Sequence, residues 1–245
     1  ARMLALMISD VPGDDPAFIG SGPTVGDAST PAEARAILAR WGIKVPASVK
    51  AVLESPTGVV PPRDERLSRV TNVVIAAPAQ SLAAAAEMAQ QVGVDVRLLG
   101  DAVEGEAREV AAAQAEMALR LDAKLGPDDA PVLLLSGGEL TVTRRGAGVG
   151  GPNAEFCLAL ALALKGAEGI NALACDTDGV DGAAEVAGAM VGPDTLARAA
   201  ALGADPRAAL ENNDAHSFFG RIKDQVVTGP TLTNVNDFRA VLIGT

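Results

Sequence analysis

The chain has 245 residues, 49% of them hydrophobic, with 20 basic and 31 acidic side chains and a formal charge of -11. So much apolar material can form a core without disulfides or metals, while the acidic balance excludes the basic footprint of a nucleic-acid binder and does not suit an anionic lipid surface. With no Tyr, one Trp (Trp41), five Phe and one histidine (His216), it lacks both the stacking platforms of single-strand binders and the ligands of a His/Cys zinc site.

The opening run Met3-Leu4-Ala5-Leu6-Met7-Ile8 ends at Ser9-Asp10 and predicts a buried strand of a parallel sheet. Such a strand needs neighbours on both sides. The chain starts at Ala1 and not at Met, so a fragment of a longer protein is expected. No secretory signal precedes the strand. The most apolar stretch, Phe156 to Leu164, is too short to span a bilayer. A cytoplasmic location follows as the expectation.

A Gly/Pro/Asp-rich loop from Asp10 to Ser29 leads to a helix with Thr30 as N-cap, Pro31 in its first turn, Glu33 at the capping-box position and Gly42 as its stop. A second short helix starts at Pro46. The Pro-rich, charged segment Ser55 to Arg66 reads as a crossing between domains, with a boundary near Ser68. Strands and helices then alternate: strand Asn72 to Ala77, helix Gln80 to Gln91, strand Val94 to Leu99, helix Val103 to Leu121. That βαβα order favours a right-handed parallel sheet. Val132 to Leu135 is a third buried strand, Gly137-Gly138 suits a turn, and Leu140 to Arg144 alternates like an exposed antiparallel strand. A helix from Asn153 to Leu164 precedes strand Ile170 to Cys175, and strands Gln225 to Val227 and Ala240 to Ile243 close the chain. Cys157 and Cys175 lie in apolar runs and read as small buried hydrophobes in a reducing compartment.

Five segments gather Asp, Asn, Thr and Gly, mostly where apolar strands end: Ser9 to Asp15 with Ser21 to Thr24, Ser136 to Glu139, Asp176 to Gly182, Asn212 to Asp214, and Thr228 to Asp237. Ligands of open α/β sheets bind outside the carboxyl ends of strands, so these loops are expected to line one cleft. The competing reading is that such residues only make turns and caps. Carboxylates in Gly-rich loops suit Mg²⁺ held mainly by phosphate and water, and backbone N–H groups such as those of Ser136 to Gly138 can cradle phosphate oxygens. Together they suit phosphoryl transfer, although no Walker-type Gly-Lys-Ser/Thr loop is present.

Gly146-Ala147-Gly148-Val149-Gly150-Gly151 satisfies G-x-G-x-x-G and precedes a helix, with Asp176 at the end of the next strand, as in a dinucleotide-binding unit. The polar, basic segment before it and the long spacing to Asp176 count against that reading. His216 reads either as a general base or as a packed or capping residue. Glu104 and Arg108 read as an ion pair on a solvated helix face.

The loops also form a recognisable set. SDVPGDDPAFIGSGPTV (Ser9 to Val25), GEAREV (Gly105 to Val110), LSGGELTVT (Leu135 to Thr143), GGPNAEF (Gly150 to Phe156), TDGVDG (Thr177 to Gly182), NND (Asn212 to Asp214) and TGPTLTNVND (Thr228 to Asp237) resemble, in order and from end to end, the glycerate 2-kinase family. Members of that family are often labelled hydroxypyruvate reductases, and its C-terminal region is called the MOFRL domain. The resemblance implies an α/β protein: a remnant of an N-terminal Rossmann-like domain, residues 1–68, and a smaller C-terminal α/β domain with a mixed sheet, residues 69–245. It implies phosphorylation of D-glycerate at its 2-hydroxyl by ATP with Mg²⁺ in a cleft between the two domains, and leaves a homodimer open.

By the same resemblance Asp178 is the catalytic carboxylate, orienting the hydroxyl or accepting its proton. Ser9, Asp10, Asp14, Ser21, Ser136, Gly137, Gly138, Glu139, Asn153, Glu155, Asp181, Asn213, Asp214, Thr231, Asn234 and Asp237 are candidates for substrate or nucleotide contacts, and no metal ligand is singled out. Two departures stand out. The family's longer N-terminal portion, with a catalytic lysine and a phosphate loop, is missing, so this chain alone is expected to be inactive. Pro152 also occupies the place of an arginine that in the family helps neutralise the transferring phosphoryl, and Arg144 or Arg145 could replace it. The alternatives are an NAD(P)H-dependent hydroxypyruvate reductase, resting on Gly146 to Gly151, and a ligand-binding remnant without turnover.

Overall fold

A computed structural model describes residues 1–55 and 58–244. Pro56 and Thr57, within the Ser55 to Arg66 crossing, and Thr245 lie outside the described residues. The chain divides into two compact units, Ala1–Met7 with Asp15–Ile75 and Ile8–Asp14 with Ala76–Thr245.

In the first unit, strands β1 (Met3–Ile8) and β2 (Val70–Ala76) form a two-stranded sheet. Helices α1 (Pro31–Arg40) and α2 (Ala47–Glu54) pack on each other. The capping box is formed as expected: the Glu33 N–H donates to Thr30 Oγ1 at 3.2 Å and the Thr30 N–H donates to Glu33 Oε2 at 2.8 Å. Two expectations are corrected here. The first strand is not buried, since Met3, Leu4, Leu6 and Ile8 are exposed, because among the described residues β2 is its one sheet neighbour. The strand after the Pro-rich segment pairs with β1 and does not join the sheet that follows, so the βαβ reading across it fails.

The second unit holds a six-stranded mixed sheet in the order β3-β5-β10-β7-β8-β9. Its strands are β3 (Asp95–Gly100), β5 (Val132–Gly138), β7 (Ile170–Asp176), β8 (Gly188–Val191), β9 (Gln225–Val226) and β10 (Asp237–Ile243). Only β3 and β5 run parallel; β10 is antiparallel to both β5 and β7. Strand β8 has no counterpart in the sequence reading, because GAMV is short and lacks flanking alternation.

The segment Leu140 to Arg144 was expected to form an exposed antiparallel strand. Instead Leu140–Thr141 (β6) pairs in parallel with Gly105–Glu106 (β4), outside the main sheet. Gly137-Gly138 is not a turn either: both glycines belong to β5 and pair with Phe238 and Asp237.

Alternation along β5 and β10 divides the core. Val132, Leu134, Val241 and Ile243 face a large cluster with helices α4 (Ala107–Asp122) and α5 (Pro152–Leu164). Leu133, Leu135, Phe238 and Ala240 face α3 (Pro78–Gln91) through Leu82 and Ala86. Helix α4 presents Ala107, Ala111, Ala115 and Ala118 to this core, a stripe of small side chains that lets α5 approach closely. Three shorter helices, α6 (Thr195–Ala201), α7 (Pro206–Glu211) and α8 (Ala215–Ile222), complete the unit. The Glu104–Arg108 pair does not form. Arg108 turns inward and donates from Nε to Glu155 Oε1 at 2.6 Å.

Candidate active site

Because β10 runs against β5 and β7, its first residue lies beside the last residues of both. Asp237 pairs with Gly138 on one side and with Asp176 on the other. Three loops far apart in sequence therefore meet at one end of these interior strands. The Ser9 to Asp14 loop joins them, since Asn236 Nδ2 donates to the Asp10 carbonyl at 3.0 Å.

At the end of β7 the chain makes a tight turn. The Asp178 N–H donates to Asp176 Oδ1 at 2.9 Å, and Asp178 Oδ1 accepts from the Val180 N–H at 2.7 Å. Thr177 ties the turn to the β10 loop: its Oγ1 donates to the Asn236 carbonyl at 2.7 Å and accepts from the Val235 N–H at 2.9 Å. Asn234 Nδ2 reaches Asp178 Oδ2 at 3.5 Å, and Thr231 donates from Oγ1 to the Thr177 carbonyl at 2.6 Å. Asp178, Thr231 and Asn234 are thus brought together. Burial, joined by the charges of Asp178 and Asp237, pushes the Asp176 carboxyl up to about 7, against the hydrogen bond from the Asp178 amide.

Most other candidates lie beneath this surface and hold it up. Asp181, 1% exposed, caps α5: Oδ1 accepts from the Asn153 N–H at 3.0 Å and Oδ2 from the Ala154 N–H at 2.8 Å. A carboxylate there also meets the positive end of the helix dipole. Asn153 Nδ2 bridges to Asp237 Oδ1 at 2.6 Å. Asp237 Oδ2 in turn accepts from Arg239 Nη1 at 2.9 Å, and burial raises the Asp237 pKa despite that cation.

Glu155 is held between Arg108 and Asn213, whose Nδ2 donates to Oε2 at 2.9 Å. Asn213 Oδ1 accepts from the N–H groups of Arg145 at 2.6 Å and Gly146 at 2.9 Å, so it shapes the glycine loop. Asp214 Oδ1 accepts from the Val149 N–H at 2.9 Å. Ser136 is buried, taking hydrogen bonds from Gln114 at 3.1 Å and Arg239 Nε at 3.3 Å. Gly137 and Gly138 are strand residues, and a Cβ on Gly138 would lie 2.8 Å from the Ala102 carbonyl carbon. Ser9 is buried with its hydroxyl turned to its own loop, Asp14 has a positive φ of 54°, and Asp10 and Glu139 are exposed. Ser21 belongs to the first unit, on an exposed turn with φ 65°.

The glycines of Gly146 to Gly151 have a packing cause. A Cβ on Gly146 would lie 2.5 Å from the Asn212 carbonyl oxygen, one on Gly148 at 2.7 Å from the same atom, and one on Gly150 at 2.8 Å from the Asn213 carbonyl oxygen. They are needed so that the loop can lie against Asn212 to Asp214. Nearby, a cleft of about 270 Å³ is lined by Val142, Arg144, Gly150, Pro152, Glu155 and Asn213. Arg144 therefore faces the same space as Pro152, whereas Arg145 does not line it.

Sequence reasoning placed Asp176 and Asn236 in cleft-lining loops without choosing either as a contact residue, and it missed Arg239 altogether. Arg239, fully buried, donates to Asp237, Ser136 and the Gly137 carbonyl, and its guanidinium lies 6.0 Å from the Phe156 ring centroid. The signal for it was a charge at an inward position of an otherwise apolar strand, DFRAVLI. His216 is buried against Asp181 and not free in a cleft. Both cysteines are free thiols, and burial raises the pKa of each. Among the described residues, no helix is long and apolar enough to cross a membrane.

Comparison with known proteins finds the MOFRL family over residues 132–237 and a domain of unknown function (DUF4147) over residues 1–54. A protein of Agrobacterium vitis, provisionally named a hydroxypyruvate reductase, is 52% identical over the whole chain and 56% of its own length. The D-glycerate 2-kinase of Thermotoga maritima is 35% identical over 99% of the chain and 57% of its own length. The crystal structure of a glycerate kinase from that organism matches with a TM-score of 0.87 at 34% identity, over 99% of this chain and 57% of that one. The chain thus spans little more than half the length of these relatives.

Proposed function

Since the chain belongs to the glycerate kinase family with its MOFRL region, we propose that it carries one wall of the active site of a D-glycerate 2-kinase, which makes 2-phosphoglycerate from D-glycerate and ATP. The observation that supports this most is the meeting of Asp176 and Asp178, at the end of β7, with Asn234 to Asp237 at the start of β10. The match to a Thermotoga maritima protein named D-glycerate 2-kinase supports the substrate.

In the transfer, the 2-hydroxyl oxygen of glycerate forms a bond to the γ-phosphorus of ATP, the bond from that phosphorus to the β,γ-bridging oxygen breaks, and ADP leaves. Asp178 orients the hydroxyl and accepts its proton. Its own rotamer is held by the Val180 amide and Asn234, so little ordering is left for the reacting complex. Asn236 and Thr177 hold the turn against the β10 loop, while Asp237, Arg239 and Asn153 form the buried support beneath it.

Among the described residues, no three Asp, Glu, His or Cys side chains are placed to hold a metal. The donors present fit Mg²⁺ in its usual kinase form, with carboxylates of Asp176 and Asp178 and most positions left to phosphate and water. When bound, Mg²⁺ neutralises charge on the transferring phosphoryl. Arg144, in the cleft it shares with Pro152, is our choice for the cation that serves where the family's arginine is lacking.

The test is a coupled assay of the complete protein with Mg-ATP and D-glycerate, with product identified by mass and regiochemistry, beside the same assay on the 245-residue chain. Formation of 2-phosphoglycerate by the complete protein supports the reading. No product from the complete protein, together with NADH oxidation by hydroxypyruvate, would replace it with the reductase.

A further inference from the structure

His216, 2% exposed, stands in the first turn of α8 and is the only histidine of the chain. Its Nε2 lies 2.9 Å from the main-chain oxygen of Asp181 and 3.1 Å from Asp181 Oδ2. Both are acceptors, so Nε2 carries a hydrogen in either charge state: it hydrogen-bonds the main-chain oxygen and lies within ion-pair distance of the carboxylate. Nδ1 is buried without a hydrogen-bond partner. The one atom that can gain or lose a proton here is therefore the one atom with nothing to bind it.

Asp181 is the joint of three elements. Its carboxylate caps α5 through the amides of Asn153 and Ala154, its amide donates to the Val186 carbonyl at 2.8 Å, and its neighbour Gly182 is pressed on the Gly150 carbonyl. It ends the turn that begins at Thr177 and carries Asp178. We propose that His216 is a pH-dependent positioning residue: protonated at Nδ1, it clamps Asp181, and with it the Thr177 to Gly182 turn, onto the N-terminus of α5, and the clamp slackens when that proton leaves.

The surroundings give the direction. Burial alone lowers the pKa of His216, but the carboxylate of Asp181, aided by Asp214, more than offsets this and holds it above the ordinary 6.5. The other charged groups on elements packed against α8 are engaged elsewhere or exposed. Glu155 of α5 pairs with Arg108, Arg198 of α6 with Asp194 and Asp224, and Arg221 of α8 donates to the Leu202 carbonyl. Arg207 and Glu211 of α7 are exposed. On β9, Gln225 donates to the His216 carbonyl and not to its ring, and β8 carries no charged side chain. Because the folded value is raised, the extra stabilisation is complete below 6.5 and is lost as pH rises through the folded value.

The inference goes beyond the kinase reading and is tested without turnover. A lone histidine gives one ring Hε1 resonance, which can be followed by NMR on the chain from about pH 5.5 to about pH 9. In parallel, hydrogen exchange of the Asn153 and Ala154 amides, corrected for intrinsic rate, is measured in the wild type and in His216→Gln, which keeps a donor toward Asp181 but cannot titrate. The expected result is a midpoint above 6.5, and protection in the wild type that falls as the histidine deprotonates, about tenfold for each unit by which the midpoint is raised. Protection in His216→Gln should not vary with pH.

A midpoint at or below 6.5, or equal pH dependence in both proteins, overturns the proposal. The titration needs no variant, so it decides even if His216→Gln fails to fold. A complete protein that lacks glycerate kinase activity leaves these readouts unchanged and counts only against the kinase reading.

Discussion

A methyl group on Gly151 would stand 2.5 Å from the main-chain oxygen of Asp181 and equally close to its Oδ1. The φ of Gly151 is -150°, which any residue can adopt, so the need for glycine is steric and comes from the carboxylate that caps α5. Gly151→Ala must therefore push Asp181 off the helix end. Overpacking of this kind costs about 1–3 kcal/mol, and the midpoint of urea unfolding should fall accordingly.

Arg108 and Glu155 form a pair in which the acid is nearly sealed and the base is partly covered. Arg108→Met leaves the charge of Glu155 buried with only Asn213 to bind it, and removal of one partner of such a pair costs about 3–5 kcal/mol. Replacing both residues with apolar side chains should recover most of that loss. A double-mutant cycle by chemical denaturation measures the difference.

Asp178→Asn in the complete protein should lower kcat by about a hundredfold to ten-thousandfold, the range lost with a general base. The asparagine carbonyl can still accept the Val180 N–H, so the turn is kept and far-UV circular dichroism should not change. An unchanged kcat would remove Asp178 from the chemical step.

Asp176 gives a dependence on pH of the same sign as that of His216, though it comes from burial of a carboxyl and not from an ion pair. Its carboxyl is held up to about 7 against 3.8 in the unfolded chain, so the folded state binds a proton that the unfolded state has released. Stability from this group falls as pH rises between those two values and levels off above the upper one. In metal-free buffer Asp176→Asn should raise the melting temperature at pH above about 7 and leave it unchanged below about 4.

Arg144 and Arg145 are adjacent, but only Arg144 lines the cleft that contains Pro152. Arg144→Met in the complete protein should reduce kcat/KM by about tenfold to a hundredfold, the worth of a lost charge-assisted hydrogen bond of about 1.5–3 kcal/mol. Arg145→Met should have little effect. Equal losses at both positions would point to a general field and not to a placed cation.

Much of the secondary structure was readable because its signals are local. Thr30 and Glu33 announce a capping box, and Val132 to Leu135 announces a buried strand. What could not be read is the pairing. Nothing within Asp237–Ile243 says that it will lie between β5 and β7, and without that placement Asp237 has no visible relation to Gly138 or Asp176.

The polar loops carry both groups on the surface, such as Asp178 and Thr231, and groups that hold that surface in place, such as Asp181, Glu155 and Ser136. Residue type alone does not separate the two, because a carboxylate can cap a helix or meet a ligand with the same chemistry. The glycines of Gly146 to Gly151 show the same limit: they make room for Asn212 to Asp214, a contact no spacing within the motif reveals.

The placement of β10 has a consequence for how the protein is made. Val132 finds Ile243 and Ile170 finds the same residue, so β5 and β7, the strands on either side of β10, must wait, unladdered on their facing edges, until β10 leaves the ribosome. Closing such distant pairs is slow and entropically costly before any contact rewards it. While that segment is still in the exit tunnel, β5 and β7 offer two apolar edges of matching direction to any neighbouring chain. The sheet should therefore close in a single step once β10 has emerged, and trimming residues from Asp237 onward should yield an aggregating product and not a smaller folded one.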